Sequence, residues 1–145
     1  MNDPKRELLR HAMAALAYRS QKVLRDAPPE FADFQGAGKT PVVILAHMGD
    51  LFDWALSIVQ GNQKWNTAKP LEWNAEVARF LASMQAFDAY LASDAPLHAP
   101  VEKLLQAPVA DALTHTGQLA MMRRLAGCPM KSENYFIADI KIAVA

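Results

Sequence analysis

Three side chains of types that commonly bind metal ions occupy positions on apolar stripes of two predicted helices. His47 lies between Ile44 and Leu51 in a segment whose apolar residues recur at i, i+3, i+4 and i+7. Asp111 and His115 are four residues apart in a second such segment, and therefore share one face of a helix. The pattern predicts that all three side chains point into the protein interior.

A buried carboxylate without a partner is strongly destabilising, so three inward-facing ligand types are difficult to explain by packing. One divalent ion bound by His47, Asp111 and His115 would satisfy all of them. Imidazole nitrogen and carboxylate oxygen suit zinc or nickel first, with iron and manganese as further candidates. Three protein ligands leave positions open for water or substrate, which is typical of a catalytic zinc site.

The same residues permit a second interpretation, in which the chain is a non-catalytic helical binding or dimerisation module. A single inward histidine is more often hydrogen-bonded in a core than bound to metal. The Asp111–His115 pair alone can form an intrahelical hydrogen bond. For a metal site, Gln118 and Asp50 are the candidate outer partners, since each lies about one turn after a histidine.

Proline and glycine divide the chain into four predicted helices. Asp3 and Pro4 are typical of a helix start, Gly127 with Pro129 is typical of a helix end, and Pro108 predicts a kink or the true start of the last helix. The helices are expected from about residue 4 to 26, from Thr40-Pro41 to near Gly61, from Asn74 to Asp94, and from Pro100 to Gly127. Residues 131–145 favour either a short extended piece or a helical turn. The fold class is therefore all-α: a four-helix bundle with a short C-terminal extension, forming one domain over residues 1–145.

The residues expected to face the core follow the helical period. They are Leu9, Met13, Leu16 and Ser20; Ile44, Leu51, Trp54, Ala55 and Ile58; Val77, Phe80, Leu81, Met84, Phe87 and Leu91; and Leu119 and Met122.

Composition narrows the class of protein. The 145 residues include 15 Lys plus Arg and 15 Asp plus Glu, giving a formal net charge of zero, which argues against nucleic acid or an anionic membrane as partner. The N-terminal segment lacks the apolar core of a secretory signal, and no stretch approaches the roughly 18 apolar residues that span a bilayer. A single cysteine, Cys128, cannot form an internal disulfide, which fits a reducing compartment. We therefore expect a cytoplasmic protein, and its 52% hydrophobic content fits a homodimer.

The stretch TPVVILAHMGDLFDWAL, residues 40–56, resembles the second helix of the DinB/YfiT-like superfamily. DALTHTGQLAMMRRLAGCP, residues 111–129, resembles the last bundle helix of that family, and residues 13–24 and 78–91 resemble its other helices. The resemblance implies a bundle whose metal ligands are usually three histidines, two of them at i and i+4 on the last helix. His47 and His115 match two of these histidines, whereas Asp111 stands in place of the third. The expected site is thus a two-histidine, one-carboxylate variant.

The family resemblance also implies a function. Its characterised members include metal-dependent transferases and isomerases that use low-molecular-weight thiols. It implies a metal-dependent transferase or hydrolase acting on a small molecule, in which the ion lowers the pKa of a bound thiol or water. Whether this chain catalyses a reaction stays open at this point.

Other residues of chemical interest favour simpler roles. His11 and His98 lack nearby ligand types and are expected on the surface. Cys128 follows the end of the last helix, where the helix dipole disfavours a thiolate. Trp65 and Trp73 are interpreted as core or loop-anchoring residues, or alternatively as part of a site entrance or a dimer contact.

Overall fold

The computed structural model describes residues 3–36 and 38–144, so residues 1, 2, 37 and 145 of the predicted domain lie outside it. The helices are α1 (Pro4–Leu24), α2 (Pro41–Val59), α3 (Trp73–Ala92), α4 (Val101–Leu104) and α5 (Ala110–Leu125). A 3-10 turn over Pro29–Asp33 follows α1, and a π-helical turn over Leu105–Val109 joins α4 to α5. Within the described ranges there is no β-strand, which confirms the all-α class.

The helices pack so that each of the long ones has two neighbours. α1 packs against α3 and α5, and α2 packs against the same two helices, so α1 and α2 lie at opposite corners. The core between them confirms most of the predicted stripes on all four long helices, while Trp54, Ile58, Val77 and Leu81 are partly buried at its edge. Its most deeply buried side chains include Leu9, Met13, Leu16, Leu45, Met48, Phe52, Phe80, Met84, Phe87 and Leu91.

Asp3 caps α1 as predicted. Its Oδ1 accepts hydrogen bonds from the amides of Lys5 at 3.0 Å and Arg6 at 3.3 Å, which satisfies two of the free N–H groups of the first turn. Thr40 occupies the N-cap position of α2, but its side chain makes no capping hydrogen bond.

The predicted start of α3 at Asn74 is wrong. The helix begins at Trp73, and Glu72 holds the N-cap position without a side-chain capping bond. Trp73 is only 7% exposed, and its ring packs edge-on against Phe31 with centroids 5.7 Å apart. Burial of the indole therefore draws this residue into the first turn, which overrides the capping preference of asparagine.

Glycine ends α2 and α5 as predicted. Gly61 and Gly127 have φ values of 84° and 81°, a left-handed conformation that side chains with a Cβ rarely adopt. After α5, the amide of Cys128 donates to the carbonyl of Arg123 at 2.9 Å. The amide of Gly127 donates to Arg124 at 3.2 Å, which completes a Schellman motif.

Pro108 is accommodated by the π-helical turn. The amide of Ala110 donates to the carbonyl of Leu105, five residues earlier, so the turn is wider than an α-helical one. Regular α-helix resumes at Ala110, which places Asp111 in the first turn of α5. Both predicted effects of Pro108 are thus present, since the segment is distorted and its long regular helix starts after the proline.

The expectation that no segment is apolar enough to cross a bilayer is wrong, because helix α2 is one such segment. An 18-residue window of this 19-residue helix has a mean hydropathy of 1.6, which meets the length and composition of a span. However, 56% of the window is buried inside the protein. The core helix of a soluble protein has the same properties, and the structure is consistent with one.

The C-terminal segment packs on α1 without forming a helix. Lys22 Nζ lies 2.8 Å from Glu133 Oε1, and the hydroxyl of Tyr18 donates to the same carboxylate. These two hydrogen bonds lower the pKa of Glu133. Residues 135–137 form a single turn, and the rest of residues 131–144 form neither a helix nor a strand.

Candidate metal centre

His47 from α2 and both Asp111 and His115 from α5 come together as the sequence predicts. Each offers one ligand atom, and the three atoms lie within 4.8 Å of one another. Asp111 Oδ2 is 3.5 Å from Nε2 of His47 and 3.5 Å from Nε2 of His115. The cluster can hold a metal ion.

The distances distinguish a metal site from a hydrogen-bonded cluster without metal. A separation of 3.5 Å exceeds the roughly 2.7–3.2 Å of an N–H···O hydrogen bond. In a tetrahedral site with bonds of about 2.0–2.1 Å, ligand atoms lie about 3.3 Å apart. The spacing around Asp111 therefore suits a shared ion better than a carboxylate that hydrogen-bonds two imidazoles. The two imidazole rings are perpendicular, with centroids 4.9 Å apart, so their edges converge without stacking.

The prediction that these side chains point into the interior is confirmed only in part, since all three are partly buried. The exposed fractions are 36% for His47, 46% for Asp111 and 20% for His115, which places the cluster at the edge of the α2–α5 interface. Buried residues flank the ligands on both helices: Ile44, Leu45, Met48, Leu51, Phe52 and Ala55 on α2, and Ala112, Thr116 and Leu119 on α5. Burial therefore does not require a metal, and the case for one depends on ligand spacing. The exposed position also leaves the site open to small molecules.

Gln118 is the outer partner of His115, as predicted. Nδ1 of His115 lies 2.7 Å from Oε1 of Gln118, one turn later on α5. Because an amide oxygen only accepts, this contact needs Nδ1 as the donor and leaves Nε2, which faces Asp111, as the candidate ligand atom. A ligating imidazole is commonly fixed in this way.

Asp50, the other predicted outer partner, does not contact His47. It is 4% exposed, with Oδ1 lying 3.2 Å from a guanidinium nitrogen of Arg79. Its Oδ2 accepts a hydrogen bond of 3.1 Å from the amide of Ala68. Asp50 thus belongs to a charge cluster between α2 and α3.

That cluster, formed by Asp50, Asp53, Glu76 and Arg79, was not expected from the sequence. Arg79 Nε donates to Glu76 Oε1 at 2.8 Å, and Glu76 is fully buried. A second guanidinium nitrogen lies 3.1 Å from Asp53. Burial lowers the pKa of Arg79, but the hydrogen bond and charge of Glu76 and the neighbouring aspartates outweigh it, so the pKa is raised overall.

Trp65, in the loop between α2 and α3, forms one wall of the metal centre. Its ring lies against His47 with centroids 5.7 Å apart, and against Trp54 at 5.8 Å. The indole N–H donates to Thr67 Oγ1 at 2.9 Å. This position favours the site-entrance interpretation of Trp65, whereas Trp73 is a core residue.

The loop that carries Trp65 is held by side chains of both flanking helices. Ser57 Oγ of α2 accepts from the amide of Lys64 at 2.9 Å, and Asp50 accepts from Ala68. Glu76 Oε2 of α3 accepts from the amide of Leu71 at 2.8 Å. The charge cluster therefore fixes the loop that lies over His47.

His11 and His98 are exposed, as expected. Comparisons with protein families, with curated proteins and with solved structures gave no match to this chain.

Proposed function

We propose that the chain is a metal-dependent enzyme of the DinB/YfiT-like type, which binds one divalent ion through His47, Asp111 and His115. The observation that supports it is the spacing of three ligand atoms from two helices, with Asp111 Oδ2 3.5 Å from both imidazole Nε2 atoms. Zinc and nickel suit this donor set best, and iron and manganese are the next candidates. The stretches that resemble the family fall within or largely within α1, α2, α3 and α5.

The proposed reaction is group transfer or hydrolysis on a small molecule, with a low-molecular-weight thiol or water as the nucleophile. A bound ion would lower the pKa of that thiol or water. The protein's own contribution is positional: Gln118 fixes the tautomer of His115, and Trp65 covers the ring of His47. The exposure of Asp111 leaves one side of the centre accessible to substrate. Cytoplasmic location and homodimerisation stay predictions.

Metal analysis tests the proposal directly. Protein made without a histidine tag, loaded with zinc and desalted, is expected to retain about one equivalent, because three ligands from two helices form a chelate. His47→Ala and His115→Ala are each expected to retain less than about 0.2 equivalents, since two ligands remain. His11→Ala, a change at an exposed histidine, serves as the control and should retain the full amount. Native protein that holds no more zinc than the two ligand variants would refute the proposal.

A second prediction concerns Gln118. Gln118→Leu is expected to weaken zinc binding about tenfold or more, because His115 loses the acceptor that fixes its tautomer. Gln118→Glu keeps an acceptor and should retain most of the affinity. Gln106→Leu, at another exposed glutamine, controls for the loss of a surface amide. Competition with a chelator measures the three affinities, and equal values for Gln118→Leu and Gln106→Leu would show that this hydrogen bond does not tune the site.

A further inference from the structure

A cleft of about 600 Å³ opens between α2 and α5 beside the metal centre. Both His47 and His115 line it, together with Gly117 and Gln118. The apolar part of its wall is formed by Ile44, Met121, Met122 and Leu125.

Two of these apolar side chains are unusually exposed. Met121 is 49% exposed and Leu125 is 60% exposed, although they lie on a helix whose other outward positions are largely polar. Exposed apolar side chains that form one wall of a cleft are typical of a ligand-binding surface.

Lys39 marks the end of the cleft remote from the metal centre. His47 lies six residues after Pro41, the start of α2, which corresponds to about 9 Å along the helix axis, and Lys39 lies two residues before that start. Among the described residues that line the cleft, Lys39 is the only charged side chain. Arg124 adds positive charge near the same wall, since its guanidinium lies 3.4 Å from Met121 Sδ.

We infer that the ligand of this cleft is an elongated organic anion, with an apolar body along Met121 and Leu125 and its anionic group at Lys39. The inference rests on the proposed function in one respect, which is that the other end of the ligand reaches the metal centre. The roughly 9 Å from the start of α2 to His47, with Lys39 just beyond that start, suits an apolar chain of about eight carbons. The substrate class for the site is therefore a medium-chain amphiphile that carries its negative charge at one end and its reactive group at the other.

Calorimetric titration of the full chain in the presence of a chelator tests the cleft separately from the metal. Octanoate is the probe, and octyltrimethylammonium, of equal chain length and opposite charge, is its matched control. We expect octanoate to bind at least about fivefold more tightly than the cation, and Lys39→Gln to remove most of that preference. Leu125→Ser is expected to weaken both probes, because it removes apolar wall, and Lys103→Gln, at an exposed lysine on α4, should change neither.

Octanoate that binds no better than the cation, or equally well to Lys39→Gln, would overturn the inference, as would the absence of binding at millimolar concentration. Zinc content measured on parallel samples prepared without chelator keeps the two proposals apart. Octanoate binding with no zinc retained would refute the metal centre alone, whereas full zinc content without selective octanoate binding would refute only the ligand class.

Discussion

Zinc is expected to raise the free energy of unfolding of the native chain by about 4 kcal/mol when free zinc is about 1,000 times its dissociation constant. The gain arises because the ligands from α2 and α5 are brought together only in the folded chain. Denaturant unfolding with zinc and with chelator measures the difference. In His115→Ala the increment should fall to less than about 1 kcal/mol, since the remaining pair binds weakly.

The same denaturant unfolding of the Asp111→Ala variant distinguishes an enzyme-like metal centre from a metal-free helical module. The carboxylate is 46% exposed and is too far from both imidazoles to hydrogen-bond them. Its loss should therefore cost less than about 1 kcal/mol in chelator but abolish most of the zinc increment. A hydrogen-bonded module would instead lose the same stability with and without zinc. Asp139→Ala, at a carboxylate that is 82% exposed, should keep the whole increment.

The contacts of the site that could be predicted from the sequence are mainly those between residues close together on one helix. The pairing of Asp111 with His115, and of His115 with Gln118, follows from helical spacing within α5 and is confirmed. The partial exposure of His47 did not follow from periodicity, because α2 is apolar on nearly every face. The structure buries Ile44 and Leu51 of the predicted stripe as well as Leu45 and Met48, so the buried face is broader than one stripe and His47 lies at its margin.

The charge cluster left a signal in the sequence that helix periodicity could have detected. Glu76 is in register with Trp73 and Phe80 on the buried stripe of α3, where a carboxylate requires a partner. Its partner Arg79 is one turn away and was predictable, but the contacts of Arg79 with Asp50 cross from α3 to α2. Contacts between helices depend on their relative rotation, which spacing along one helix does not determine.

Arg79→Leu is expected to lower the free energy of unfolding by about 3 kcal/mol or more, because it leaves the fully buried Glu76 carboxylate without a cation. The guanidinium also donates to the Ala46 carbonyl at 2.7 Å and packs over Gly49, where an added Cβ would lie 3.0 Å from it. Chemical denaturation measures the loss. Arg25→Leu, at an exposed arginine, should change stability by less than about 0.5 kcal/mol.

The double variant Arg79→Leu/Glu76→Gln identifies the cause of that loss. A neutral amide needs no cation and can still accept from the amide of Leu71, so the double variant should be more stable than Arg79→Leu alone. If both are equally unstable, lost packing rather than an unpaired charge explains the effect. Hydrogen exchange adds a readout at the site: the amides of Ala68 and Leu71, bonded to Asp50 and Glu76, should lose protection in Arg79→Leu. These bonds hold the loop that carries Trp65 against His47. The same variant is therefore expected to bind zinc less tightly. Such a loss would connect the charge cluster between α2 and α3 to the metal centre between α2 and α5.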